Sequence, residues 1–321
     1  MQAIVQDRYG SADVLELNEV EKPTPREREV LVRVRAAGVN ALDWHFMRGS
    51  PFVMRPVIGL RRPKPARRGV DVAGTVDSVG TDVTQFRPGD EVFGLCSGAF
   101  AEFVCAGEER FVAKPTNLSF EQAAAVPLAA MTALQGLRDA GRLRAGQRVL
   151  IIGASGGVGT FAVQIAKALG AEVTGVCSGR NRDLVRSLGA DHVIDYTTED
   201  FTRSRQRYDL IFELAGTRSS SDIRRALTPG GTLVLSSGAG GRWLGPLGRM
   251  VKAMVLSRFV RERLVVLSTT ENNADLVVLK DFIEAGKVSP VIDRRYRLGE
   301  APAAIRYVES GHTQGKTVIT A

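Results

Sequence analysis

Gly153-Ala154-Ser155-Gly156-Gly157-Val158-Gly159 follows the uninterrupted apolar run Val149-Leu150-Ile151-Ile152 and opens a segment, Val158 to Leu169, with helical apolar spacing closed by Gly170. A strand, a tight bend of small residues and a helix in succession suit a diphosphate: the backbone can approach it closely. The helix start adds unpaired N–H groups and the positive end of its dipole. The pattern Ala154-x-Gly156-x-x-Gly159 carries alanine where the usual dinucleotide fingerprint has its first glycine. Glycine-rich bends also serve packing alone, so the surroundings must decide.

Downstream, Glu172 to Cys177 is strand-like, Leu184 to Leu188 with Gly189 is a short helix, and Val193-Ile194, Leu210 to Phe212 and Thr232 to Leu235 are further strands. Strands alternating with helices predict a parallel sheet covered on both faces. Upstream, residues 1 to 117 read differently. Val30 to Val34 alternates, Val72 to Val79 is broken by Gly74, and the turn Arg87-Pro88-Gly89-Asp90 precedes Glu91 to Gly94, as in a compact, mostly β domain. Ser119 is placed to cap a helix running toward Leu137, with an irregularity at Pro127. The tail supplies a helix, Asp275 to Ala285, and strand-like pieces at Val291-Ile292 and Thr317 to Thr320, which should rejoin the first domain. The expected fold is therefore α/β: a mostly β domain over 1–120, a Rossmann dinucleotide-binding domain over 121–270, and a return to the first domain over 271–321.

The composition, 44% hydrophobic and 24% charged over 321 residues, is that of a globular chain and excludes a disordered one. Cys96, Cys105 and Cys177 are too few and too scattered for a disulfide scaffold, which favours a reducing cytoplasm. The start lacks a signal-peptide organisation, and no apolar run reaches the ~18 residues of a membrane span. A net charge of +8 suits an anionic partner without choosing among nucleic acid, membrane surface and phosphorylated small molecule.

The position about twenty residues beyond the bend discriminates between cofactors, because a carboxylate there accepts hydrogen bonds from the adenosine ribose. Here it is Ser178, followed by Gly179-Arg180-Asn181-Arg182. A neutral hydroxyl with two neighbouring guanidinium groups favours NADPH over NADH. Unit charges ~4 Å apart interact by about 4 kcal/mol at an effective dielectric of 20, and half of that gives roughly thirtyfold discrimination. Ala154 to Gly159, Ser178, Arg180 and Arg182 are thus candidate cofactor residues. So are Leu214-Ala215-Gly216 and Ser236-Ser237-Gly238, which end later strands at the edge where open α/β sheets bind ligands.

With Ala37-Gly38-Val39-Asn40 and Asp43, Gly69 to Gly80, Gly89 to Gly94, the bend, and Leu188 to Asp191, the chain resembles the medium-chain dehydrogenase/reductase superfamily, in particular its zinc-free quinone oxidoreductase branch. That resemblance implies a GroES-like β domain plus a Rossmann domain, with cofactor and substrate in the cleft between them, and often a homodimer formed through the Rossmann sheet edge. It places Asn40 toward nicotinamide and substrate, Tyr196 against the adenosine phosphate, and Lys316 in reach of the cofactor phosphates. Zinc members carry cysteine where this chain has Asn40 and a His-Glu pair where it has Val70-Asp71. Neither these positions nor the scattered His45, His192 and His312 assemble a zinc ligand set, so no metal is expected.

Without a Lewis acid to stabilise an alkoxide, hydride transfer is easiest to an acceptor that delocalises its own charge, such as a quinone or an α,β-unsaturated carbonyl. An enoyl or zinc-free carbonyl reductase is the neighbouring alternative. Asp43 is suited to capping the segment after Asn40 more than to acid catalysis, and His45 could protonate an enolate or be structural. Two basic stretches remain. Arg61 to Arg68 reads as a solvated, Pro-stiffened loop without the interleaved aromatics of a nucleic-acid site, and no nucleic-acid partner is expected. Residues 243–259 read as a basic amphipathic helix, either a lid over apolar substrates or a membrane-surface contact. A non-catalytic RNA- or membrane-binding protein on the same fold is the competing class.

Overall fold

The computed structural model describes residues 1–52, 55–64, 66, 68–215, 218–236 and 260–321. Gly216, Ser237, Gly238 and the basic segment 243–259 lie outside the described residues. The chain divides into two compact units, one of residues 1–131, 271–285 and 290–321, the other of 132–270 and 286–289.

The first unit begins with the hairpin pair β1 (Gln2–Val5) and β2 (Glu16–Glu19), followed by the long β3 (Glu29–Val39), which leads directly into α1 (Ala41–Arg48). After the short α2 (Arg55–Ile58) come β4 (Asp71–Val79), β5 (Glu91–Leu95), β6 (Phe103–Gly107) and β7 (Phe111–Ala113). Ser119 starts α3 (Phe120–Ala124) with a full capping box: its Oγ accepts from Gln122 N at 3.2 Å, and Gln122 Oε1 accepts from Ser119 N at 3.0 Å. Pro127 does not distort that helix; it opens a new one, α4 (Pro127–Gln135), at the position where a missing N–H costs nothing.

In the second unit, β8 (Arg148–Ile152), α5 (Gly157–Ala168), β9 (Glu172–Cys177), α6 (Arg182–Ser187), β10 (His192–Asp195), β11 (Tyr208–Glu213), α7 (Ser220–Arg224), β12 (Leu227–Leu235) and β13 (Arg263–Val266) alternate as expected. The six strands form one parallel sheet in the order β10-β9-β8-β11-β12-β13. The order reverses at β8, and the C-terminal strand ends at such a switch point, here beside the glycine bend, are where open α/β sheets bind ligands. Leu150, Ile211, Leu233 and Tyr208 anchor an apolar cluster on this sheet.

The chain then returns to the first unit through α8 (Asn273–Glu284), β14 (Ile292–Arg297), α9 (Ala301–Glu309) and β15 (Lys316–Thr320). Strand β15 lies between β14 and β3 in a seven-stranded sheet of order β14-β15-β3-β4-β5-β7, with β6 also paired to β3. Val32, Val72, Val92, Phe100 and Phe111 fill its core, and Ala301, Ala304 and Ile305 of α9 cover one face. Arg68 corrects the reading of its loop as wholly solvated: Arg61, Arg62 and Lys64 are exposed, whereas Arg68 is 4% exposed.

Candidate functional site

The bend of the second unit is built from glycines with separable duties. Gly153 has φ +89°, and both its N–H and that of Ala154 donate to Val176 O at 3.0 Å, tying the turn to the neighbouring strand. A Cβ on Gly159 would fall 2.1 Å from Gly153 O, so the helix can close against the turn only if that residue is glycine. At Gly156, by contrast, an added Cβ would meet nothing nearer than Gly153 O at 3.5 Å. Protein packing leaves that face of the bend open. Gly156 is the N-cap of α5, so the first-turn N–H groups of Gly157, Val158 and Gly159 begin a twelve-residue helix without intrahelical partners. These residues fit a dinucleotide diphosphate.

The remaining candidates gather along the same sheet edge. Tyr196, 57% exposed, follows β10 and donates its N–H to Cys177 O at 3.1 Å, which places it beside Ser178 at the end of β9. Leu214 N bonds Ile152 O, and Ser236 N bonds Glu213 O, both at 3.0 Å, so Leu214 lies beside the start of the bend and Ser236 one strand further out on the same edge. Two residues missed from the sequence complete the edge. Asn181, 5% exposed, donates from Nδ2 to Ser155 Oγ at 2.9 Å and joins the specificity loop to the bend, while its Oδ1 is buried without a partner. Asp195 pairs with Cys177 across the sheet and brings a carboxylate next to Gly179 that reading the loop alone does not reveal. That carboxylate accepts from Thr197 Oγ1 at 2.7 Å and Thr197 N at 3.0 Å, bonds that hold it below the usual carboxylate range, with the Arg182 charge contributing. The sequence cue for Asp195 was its own element: it ends the strand read at Val193-Ile194.

In the first unit, Asn40, Asp71 and Lys316 form a closed ring of hydrogen bonds. Lys316 Nζ donates to Asn40 Oδ1 at 2.6 Å and to Asp71 Oδ2 at 3.2 Å, and Asn40 Nδ2 donates to the same Asp71 oxygen at 2.9 Å. The other Asp71 oxygen accepts from Leu128 N at 3.0 Å, in the first turn of α4. Strand register creates this meeting: Gly38 opposes Asp71 and Val39 opposes Thr317, so Asn40 and Lys316 lie one step beyond the last pair. Lys316 is 3% exposed and Asp71 0%. Lys316, which the family resemblance places in reach of the cofactor phosphates, has an enclosed side chain whose ammonium donates to Asn40 and Asp71.

Asp43 accepts from Asn40 N at 2.7 Å through Oδ2, the orienting role expected of it. Burial pushes its carboxyl up to about 7, despite the Asn40 N–H bond and the charges of Lys316 and Arg68. His45 is turned elsewhere. Its Nδ1 meets the Ser50 carbonyl at 3.0 Å, an acceptor that assigns the hydrogen to Nδ1, and its ring stacks on Trp44. Burial lowers its pKa, so the neutral ring, with Nε2 as acceptor, is the favoured form.

Comparison with known proteins agrees with this geometry. The alcohol dehydrogenase GroES-like domain family matches residues 26–116 and the zinc-binding dehydrogenase family residues 188–319. The chain is 34% identical, over 99% of its length and 98% of the relative's, to the chloroplastic quinone-oxidoreductase homolog of Spinacia oleracea. It is 33% identical, over 99% of its length and 79% of the relative's, to the chloroplastic NADPH-dependent alkenal/one oxidoreductase of Arabidopsis thaliana. The structure of Escherichia coli quinone oxidoreductase complexed with NADPH matches with a TM-score of 0.85 at 25% identity, covering 100% of both chains. The fold and the site define a medium-chain dehydrogenase/reductase. Within that superfamily the chain belongs to the quinone-oxidoreductase-like family.

Proposed function

We propose that the chain is an NADPH-dependent oxidoreductase that transfers hydride to quinones or α,β-unsaturated carbonyls without a metal, as a homodimer in a reducing cytoplasm. The observation that carries this reading is the bend at Gly153–Gly159, where Gly153 and Gly159 are dictated by packing while the Gly156 face is left for a ligand. Relatives named as quinone and as NADPH-dependent alkenal/one oxidoreductases support it. NADPH supplies the hydride when bound. The α5 N-terminus holds its diphosphate, Ser178, Arg180 and Arg182 receive the 2′-phosphate, and Tyr196 covers the adenosine side.

Metal independence is supported by the donor set. A divalent cation at Asn40 and Asp71 would share those oxygens with the Lys316 ammonium, 2.6 Å from one and 3.2 Å from the other. Like charge at that range opposes metal binding. Strand β13 has one strand partner among the described residues, β12, and leaves the sheet edge that a second copy would extend. Cys96, Cys105 and Cys177 form no disulfide, which accords with a reducing compartment.

The test follows nicotinamide absorbance with a series of quinones and enones, with and without a chelator. Turnover with both acceptor classes, unaffected by the chelator, is expected, together with a dissociation constant for NADPH roughly thirtyfold below that for NADH. Arg182→Ala should erase most of that ratio by weakening NADPH alone. No turnover with any activated acceptor, or equal affinities for the two nucleotides, would refute the corresponding part.

A further inference from the structure

Asn40 occupies the N-cap of α1, where an asparagine side chain ordinarily accepts an N–H of the first turn. Here the hydrogen bonds of its amide run to Lys316 and Asp71. The N–H of Asp43 is satisfied by the Asn40 backbone carbonyl at 3.1 Å. With an ammonium on Oδ1 and a carboxylate on Nδ2, the amide has one possible orientation. A flip would set the NH2 against the ammonium and the oxygen against the carboxylate. Asp71 is itself immobilised by Leu128 N on its second oxygen.

Such a buried ion pair is weak evidence of a stabilising role, because apolar residues of similar volume hold a core at least as well. Its asymmetry is more informative. Of the three residues, Asn40 is the most exposed, at 9%, against 3% for Lys316 and 0% for Asp71. One N–H of its NH2 group is used on Asp71, and an amide has two. The ammonium on the amide oxygen draws electron density from the nitrogen and strengthens its N–H groups as donors, offsetting the density returned by the Asp71 carboxylate, which fixes the direction of the second N–H.

We propose that Lys316 and Asp71 are positioning residues that orient and polarise the Asn40 amide, so that its second N–H donates to the acceptor's carbonyl oxygen as hydride transfer makes that oxygen negative. This deepens the proposed reductase function and rests on it. Hydride adds to the acceptor carbon, the carbonyl π electrons move to oxygen, and Asn40 stabilises the resulting enolate or hydroquinone anion, whose proton then comes from solvent. An enone concentrates this charge on one oxygen and a quinone spreads it over its ring, so the enone depends more on the donor.

The experiment compares wild type, Lys316→Arg and the charge-neutral pair Asp71→Asn/Lys316→Met, which avoids stranding a buried charge. Steady-state turnover on an enone and on a quinone, the NADPH dissociation constant by calorimetry, and the Asn40 side-chain amide resonances in asparagine-labelled protein are measured. In the double variant, kcat for the enone should fall about a hundredfold, as for loss of one oxyanion donor, and less for the quinone. NADPH affinity should hold, the Asn40 amide resonances should move, and Lys316→Arg should recover part of the enone turnover. Unchanged enone turnover, unmoved resonances, or a loss of NADPH affinity as large as the loss of kcat would overturn the proposal, the last by making Lys316 a cofactor ligand. If the wild-type protein reduces no acceptor, it is the reductase reading that fails, and the resonances still decide whether the ion pair holds the amide.

Discussion

At Gly38 a single methyl group would be felt throughout the Asn40 cluster. A Cβ there would fall 2.4 Å from Ala124 O and 2.9 Å from Asp71 Oδ2, between α3 and the carboxylate that Lys316 and Leu128 hold. Gly38→Ala should cost about 1–3 kcal/mol by urea denaturation, because both neighbours are backbone or tightly bonded. Asp43 gives a pH signature. Its carboxyl stands near 3.8 when unfolded and is pushed to about 7 by burial in the native protein. Between those values the native state binds the extra proton, so the contribution of Asp43 to stability is complete below the lower value and lost as pH rises through the upper one. Stability should fall by on the order of 2–4 kcal/mol from pH ~4 to ~8, and Asp43→Asn should flatten the profile. Of this cluster, Asn40 and Asp43 were legible in the sequence as a pair three residues apart. Their link to Lys316 was not, since it spans 276 positions and depends on the register of the last strand. The available cue was a lysine leading the apolar run Thr317 to Thr320.

Among the elements, α3 was readable to its cap, and Ser119→Ala should lower stability by about 1 kcal/mol in the same titration while leaving NADPH binding unchanged. What could not be read is why the chain breaks at Pro127. The restart presents the Leu128 N–H to Asp71, so the proline relates to a strand 57 residues away. Strand β3 was seen only as Val30 to Val34, because irregularities between Leu31 and Val32 and between Val34 and Ala36 interrupt the alternation that marks a strand. Helix α9 was not read from the sequence, although its apolar residues, with Ala301, Ala304 and Ile305 buried, fall on one face. Most of the parallel strands were legible, since strands covered on both faces form continuous apolar runs, but β13, four residues opened by Arg263, was not.

At the scale of the whole molecule, the change of pattern from β segments to alternating strands and helices announced two kinds of sheet. The C-terminal strand is interior to its sheet, and β14 reaches β3 only through it. Removing residues 316–321 should therefore cost far more than trimming an ordinary terminus: it detaches β14, bares the β3 edge and deletes Lys316. Loss of soluble, cooperatively unfolding protein, followed by near-ultraviolet circular dichroism, is the expected result. During synthesis the same placement imposes a schedule. The 132–270 sheet has all its strands before β15 is made, whereas the β3 edge that β15 covers stays bare until residues 316–320 have emerged. A polypeptide not yet extended that far thus already holds every strand of its parallel sheet while Asn40 still lacks the Lys316 ammonium that its amide oxygen accepts from.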